Sequence, residues 1–172
     1  VGFGWVLAAL TKCAQLPLHF WLPHASAGPV TANALMQSVT TVVAGIYVLL
    51  RFAFLLDTAP AALEILIAAG SATMLLASLA AATQLDLSRL LALTTSSVMG
   101  LVVVGIGVGA YSTAAFLLLT HGFVKALLLL ASGVVLTTLK GESDLRKMGG
   151  LSQRMRWTQG VFGLGALALV GF

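Results

Sequence analysis

AAFLLLTHGFVKALLLLASGVVLTTL, residues 114–139, is a nearly unbroken apolar run that carries one histidine and one lysine, His121 and Lys125, near its middle. Residues four apart share a helical face, so the imidazole and the ammonium stand one turn apart on a single stripe of an otherwise apolar cylinder. An ionisable residue at the centre of a spanning helix costs about 2.5–3.5 kcal/mol on insertion scales, and such residues face a protein interior or a wet cavity. Lysine can instead snorkel to the headgroups. With about ten apolar residues on either side, Lys125 has too short a stem to do so. The stretch reads as a membrane helix with a buried, functional pair.

The rest of the chain has the same character. Of its 172 residues, 59% are hydrophobic and 8% charged, and the mean hydropathy is +1.06. A helical span takes about 20 residues, so the length holds about six with short connections. The expected fold is an all-α, polytopic transmembrane helix bundle with broken helices. Cys13 is the single cysteine, which leaves no disulfide framework and no cysteine metal site. The net charge of +4 is concentrated in one loop beside a span, a membrane signature rather than a nucleic-acid one. The chain begins without Met and stops inside an apolar segment at Gly171 and Phe172, which reads as part of a longer polytopic protein.

The first span covers residues 1–22 and is interrupted by Pro17, which removes a backbone donor and clashes with the carbonyl one turn back. Lys12 and Gln15 precede the interruption, and His19 and Trp21 follow it. Broken membrane helices occur where they line a cavity or are buried in protein, so Lys12 is expected in a small wet pocket facing the second or fourth span. The alternative is an ordinary span end with Lys12 and Trp21 as interfacial anchors. His19 and His24 lie near the membrane edge, where a solvated or capping role competes with proton handling.

The second span, about residues 30–54, carries Asn33, Gln37, Ser38, Thr40 and Thr41, a stripe that either glues helices or lines a water path. The third, about 61–83, has only Glu64, placed near a helix start where a carboxylate is favourable. The fourth, about 87–108, opens on Asp86, a good N-cap, followed by Ser88 and Arg89. Arg89 suits an interfacial anchor more than a relay member. This span also contains the hydroxyl run 94–97, with Ser96 in it. Gly105, Gly107 and Gly109 lie at the span end without the strand-turn-helix context of a dinucleotide site, so they read as packing or a turn, and no cofactor is expected.

Loop 140–156 carries Lys140, Arg146, Lys147, Arg154 and Arg156 against Glu142 and Asp144. Positive residues in short loops stay on the cytoplasmic side, so the central helix enters from outside and the last segment, from Trp157, leaves again. Arg51 at the outer end of the second span departs from this rule, which suggests pairing with Asp57.

Three motifs in order, KCAQLPLHFWLP at 12–23, THGFVKAL at 120–127 and DLRKMGGL at 144–151, resemble the antiporter-like, proton-pumping membrane subunits of respiratory complex I. The resemblance is to the chain L or chain 5 type of NADH-quinone oxidoreductase, kin to the large subunits of multi-subunit sodium/proton antiporters. It covers essentially all of residues 1–172. It implies an inverted-repeat architecture in which this chain is part of one proton-conducting transmembrane domain, multi-pass in the cell inner (plasma) membrane and surrounded by lipid and other membrane subunits of the complex.

By that resemblance Lys12 is the lysine of the first broken helix, and His121 with Lys125 are the pair of the central relay helix. Gln37 stands where the family usually has a histidine, Ser88 where it has a lysine, and Leu117 where a second histidine is frequent. Glutamine takes up no proton at physiological pH, so water ordered by Gln37 would have to carry the link. The relay implied is Lys12, Gln15, Gln37, His121 and Lys125, with Arg89, Ser96 and His19 as secondary candidates and Pro17 as the helix break. The functions implied are proton translocation through mid-membrane lysines and water, cation/proton antiport, or a scaffold role with an incomplete relay.

Overall fold

Leu16 and Pro17 set the first irregularity of the chain. The computed structural model describes residues 2–25 and 28–171, and in it α1 (Gly2–Lys12) stops short of the proline, with α2 (Trp21–Ala25) beginning beyond it. Proline at 17 cannot donate to the carbonyl of Cys13 and restricts Leu16 to extended backbone. The helix therefore ends early, and Ala14 turns the chain with φ +52. The Leu16–Pro17 peptide bond is cis.

The second span is two helices, α3 (Val30–Ser38) and α4 (Thr41–Arg51), rather than the single one expected. Leu35 O accepts from both Val39 N, at 3.2 Å, and Thr40 N, at 3.1 Å. That is a local widening of the helix, an irregularity known to bend helices and to recur at functional sites. After the short α5 (Ala53–Asp57) come three long helices, α6 (Pro60–Ala82), α7 (Leu87–Gly107) and α8 (Tyr111–Thr138). The loop after α8 contains a 3-10 turn at Leu145–Lys147 and α9 (Leu151–Arg154), and α10 (Arg156–Val170) follows it. Among the described residues, Val30–Arg51, Pro60–Ala82, Leu87–Gly107 and Tyr111–Thr138 are long and apolar enough to cross a membrane. The protein is an all-α membrane bundle with interrupted helices.

Close helix contact depends on a few glycines. A Cβ on Gly100 would stand 2.7 Å from Gly70 O and 2.8 Å from Met74 N, so α6 and α7 touch backbone to backbone there. Gly45 of α4 meets Cys13 Sγ and Ala9 O of α1 in the same way, and Gly133 of α8 meets Val30 of α3. Small residues at such crossings are what permits tight packing where lipid supplies no hydrophobic drive between helices. Gly107 packs on Ile67 and Leu63 O, whereas Gly109 takes φ +78 in the turn to α8.

α7 is the inner helix of the group, buried along Leu87, Leu91, Ala92, Leu93, Thr95, Ser96, Met99, Gly100, Val102, Val103 and Ile106. Its start is tied to the basic loop. Leu87 N donates to Ser143 O at 3.0 Å and Leu145 N to Leu85 O at 2.8 Å, while Asp86 accepts from Arg89 N at 3.0 Å and Ser143 Oγ at 2.5 Å. Partial burial pushes the Asp86 carboxyl up, but the Ser143 hydroxyl and the Arg89 and Ser88 amides outweigh it and hold the group below its usual value. At the opposite end Tyr111 Oη donates to Asp57 Oδ1 at 2.5 Å. Asp57 is thus engaged by tyrosine, and the ion pair expected with Arg51 is not among those of the described residues, where Lys147 with Glu142, at 2.8 Å, is the salt bridge found.

Candidate functional site

α8 packs against α3 and α7, and the side chains at this three-helix meeting are polar where the sequence of α8 places its two ionisable residues. Lys125 is fully buried, with relative exposure 0%, and His121 is at 4%. Lys125 Nζ donates to Leu91 O and to Thr94 Oγ1, the latter at 2.7 Å. Thr94 Oγ1 in turn donates to Leu91 O at 2.8 Å. The ammonium is therefore held by one turn of α7, through a hydroxyl and a backbone carbonyl.

The row continues toward α3. Thr95 Oγ1 stands 3.0 Å from Leu91 O and 3.2 Å from Gln37 Oε1 and donates its one proton to either, so Gln37, exposed by only 1%, is linked to the same carbonyl's surroundings through one hydroxyl. Gln37 and Ser38 stand at the interruption between α3 and α4. Ser38 Oγ donates to Ala34 O, and Ser38 O lies 3.2 Å from where a Cβ on Gly122 would be, beside His121. Both ring nitrogens of His121 and the hydroxyl of the buried Ser96 have no hydrogen-bond partner among the described residues. Buried polar atoms ordinarily have partners, ordered water included, so this end of the row is chemically suited to hold water.

A second polar group forms around the break after α1. Gln15 is fully buried; its Nε2 donates to Cys13 O at 3.0 Å, the carbonyl that Pro17 cannot serve, while its Oε1 has no partner among the described residues. Leu16 N donates to Thr73 Oγ1 of α6 at 2.9 Å, and Trp21 Nε1 donates to Thr11 O at 3.0 Å. His19 stacks on Phe20 with ring centroids 4.2 Å apart, and its buried Nδ1 has no partner among the described residues. Thr73 is the residue the sequence did not single out here. A threonine inside an Ala-rich helix carries no sign that its hydroxyl will clamp another helix's broken backbone.

Lys12 departs from expectation. It lies at the end of α1, within a few residues of the irregularity, yet it is exposed rather than enclosed in a pocket. Val6, Ala9, Leu10 and Cys13 form the inward face of α1, so Trp5, Ala8 and Lys12, spaced three and four apart, fall on the outward one. The Cβ of Lys12 stays close to Gly45 while the rest of the side chain leads outward. Arg89 is likewise exposed. It lines a pocket of about 490 Å³ with His24, Asp86, Ser88 and Ser143 at the loop end of the bundle.

With this geometry in place, the comparisons are specific. A profile of the family described as NADH:quinone oxidoreductase/Mrp antiporter, TM, matches residues 1–172. NADH-ubiquinone oxidoreductase chain 5 of Pongo pygmaeus is 43% identical over 168 residues, 98% of this chain and 28% of that protein. The chain 5 protein of Aedes aegypti is 43% identical over 166 residues, 96% of this chain and 28% of that protein. Among solved structures, the Mrp complex from Dietzia sp. DQ12-45-1b superposes with TM-score 0.88 at 27% identity, over 97% of this chain and 32% of the matched one. The membrane-bound sulfane sulfur reductase, an archaeal respiratory membrane complex, superposes with TM-score 0.85 at 27% identity, over 97% and 35%. The chain thus spans about a quarter to a third of the proteins it resembles.

Proposed function

The chain belongs to the NADH:quinone oxidoreductase/Mrp antiporter transmembrane family, and from that premise we propose that residues 1–172 are part of one proton-conducting domain in the proton-translocating membrane subunit of an NADH-quinone oxidoreductase. The observation that carries this reading is the fully buried Lys125, bonded to Leu91 O and Thr94 Oγ1 one turn from His121. Its ammonium faces a hydroxyl and a carbonyl inside the bundle rather than lipid, so it is placed to take up and release a proton at mid-membrane.

In this reading Lys125 receives and releases a proton at Nζ. His121 takes a proton on one ring nitrogen and gives one up from the other. Gln37 does not titrate and instead orients water between α3 and α8, with Ser96 as a further hydroxyl on that path. Gln15 and the break at Pro17 continue the row toward Lys12, whose outward face meets another part of the assembly, so that Lys12 is the relay's link to its surroundings. His19 and Arg89 flank the two ends. The partners are other membrane subunits of a respiratory complex, and the location is an energy-coupling membrane, the plasma membrane in a bacterium.

Lys125→Ala in the assembled complex, reconstituted in sealed vesicles, is expected to cut proton transport at least about tenfold, since it removes a mid-membrane carrier, with assembly retained. Ordinary transport in that variant removes Lys125 from the relay. The second reading, a cation/proton antiporter subunit, is favoured by the superposition on the Mrp complex. Sodium flux that balances proton flux in the same vesicles would select it over the first.

A further inference from the structure

We infer that Thr94 is the positioning residue that lets Lys125 stay buried in both of its protonation states. The inference rests on the proton-transfer reading above and extends it to a residue with no titratable group of its own.

Two groups face Nζ, and they differ in kind. Leu91 O is a backbone carbonyl and only accepts. Thr94 Oγ1 can accept and donate, and it stands 2.7 Å from Nζ and 2.8 Å from Leu91 O. With Lys125 charged, the ammonium donates to both oxygens and the Thr94 hydroxyl proton points at Leu91 O, an arrangement that the heavy-atom placements accommodate. When the proton leaves, Nζ becomes an amine with a lone pair. The carbonyl cannot fill that lone pair. The Thr94 hydroxyl can, by rotating about its C–O bond so that its proton turns from Leu91 O to Nζ. No heavy atom has to move, and Nζ, Thr94 Oγ1 and Leu91 O each keep a partner in either state.

The carbonyl tolerates this exchange because it is over-supplied. Leu91 O accepts from Lys125 Nζ, Thr94 Oγ1 and Thr95 Oγ1, and it has two lone pairs. Loss of the Thr94 donor leaves it served by Nζ, and by Thr95 Oγ1 when that proton is turned away from Gln37. Thr95 cannot substitute for Thr94 at Nζ, because its hydroxyl lies between Leu91 O and Gln37 Oε1. The hydroxyl at 94 thus accepts from one form of the lysine and donates to the other.

Two variants separate this role from packing. Thr94→Val keeps the shape and removes the hydroxyl; Thr94→Ser keeps the hydroxyl and removes the methyl. In the assembled complex in sealed vesicles, Thr94→Val is expected to slow proton transport about tenfold, the factor corresponding to one hydrogen bond to a charged group, and Thr94→Ser to recover most of the rate. Assembly and electron transfer to quinone should be alike in the two. Transport in Thr94→Val equal to the parent, while Lys125→Ala abolishes it, overturns the role of Thr94 and leaves the relay intact. A deeper defect in Thr94→Ser than in Thr94→Val also overturns it, since packing would then be what matters. If Lys125→Ala itself transports normally, the relay reading falls and this inference with it.

Discussion

Two lysines interrupt apolar helices of this chain, and they meet opposite surroundings. Lys125 lies midway along α8, between α3 and α7, with its ammonium on the Leu91 carbonyl and the Thr94 hydroxyl. Lys12 closes α1 at the edge of a broken segment, its stem against Gly45 and its end exposed. Burial of a charge is set by what the neighbouring helices present at that level, not by the apolar run in which the charge is embedded. α7 presents hydroxyls and a shared carbonyl to Lys125, whereas among the described residues the end of Lys12 is exposed.

The contrast depends first on α6 and α7 being in backbone contact, because that crossing fixes where the hydroxyl run 94–97 meets α8. Gly100→Leu should have the largest effect. Its Cβ alone would stand 2.7 Å from Gly70 O, and overpacking of this kind costs about 1–3 kcal/mol or more. The expected outcome is little assembled protein in the membrane fraction, and parental levels would show that α6 and α7 are not this close.

Thr73→Val addresses the other side of the comparison. It leaves Leu16 N, now served by Thr73 Oγ1 at 2.9 Å, as an unpaired donor, at a cost of about 1–3 kcal/mol. Thermal melting of the detergent-solubilised complex should fall accordingly. Melting equal to the parent's would mean that the Thr73 hydroxyl does not hold the broken segment.

Asp86 should give a smaller effect that depends on pH. Its carboxyl is held below its ordinary value by the Ser143 hydroxyl and by the Arg89 and Ser88 amides, against partial burial. The stability this adds is present above the unfolded-chain value of about 3.9 and is lost as pH falls through the lower folded value. Asp86→Ala should therefore cost about 1 kcal/mol at neutral pH as a lost helix cap. Its melting temperature should also decline less than the parent's on acidification below about pH 4, where the parent loses the same contribution. Parallel declines would mean that Asp86 is not what titrates.

Much of this arrangement was legible in the residues. Pro17 marked a real interruption, Asp86 is the helix cap its position suggested, and the depth of His121 and Lys125 in an apolar run corresponds to their burial. What was not legible has physical reasons. α1 is apolar on all sides, so no hydrophobic asymmetry announces which face Lys12 occupies. The interruption at Val39 and Thr40 has neither proline nor glycine to signal it. The Leu91 carbonyl, shared by Lys125, Thr94 and Thr95, belongs to the backbone, and a leucine in the sequence carries no trace of it. Asp57 was expected beside Arg51 on charge, but a tyrosine distant in sequence supplies its hydrogen bond instead.

In the proposed relay one polar row, bridged by water, joins the break at Gln15 to Lys125. A high-resolution electron cryo-microscopy map of the intact complex would make that row visible. Ordered waters are expected within hydrogen-bonding distance of both His121 ring nitrogens, Ser96 Oγ and Gln15 Oε1, with the Lys12 ammonium covered by protein and in reach of that line. Dry apolar packing against those atoms, or a Lys12 side chain lying in lipid, would contradict it.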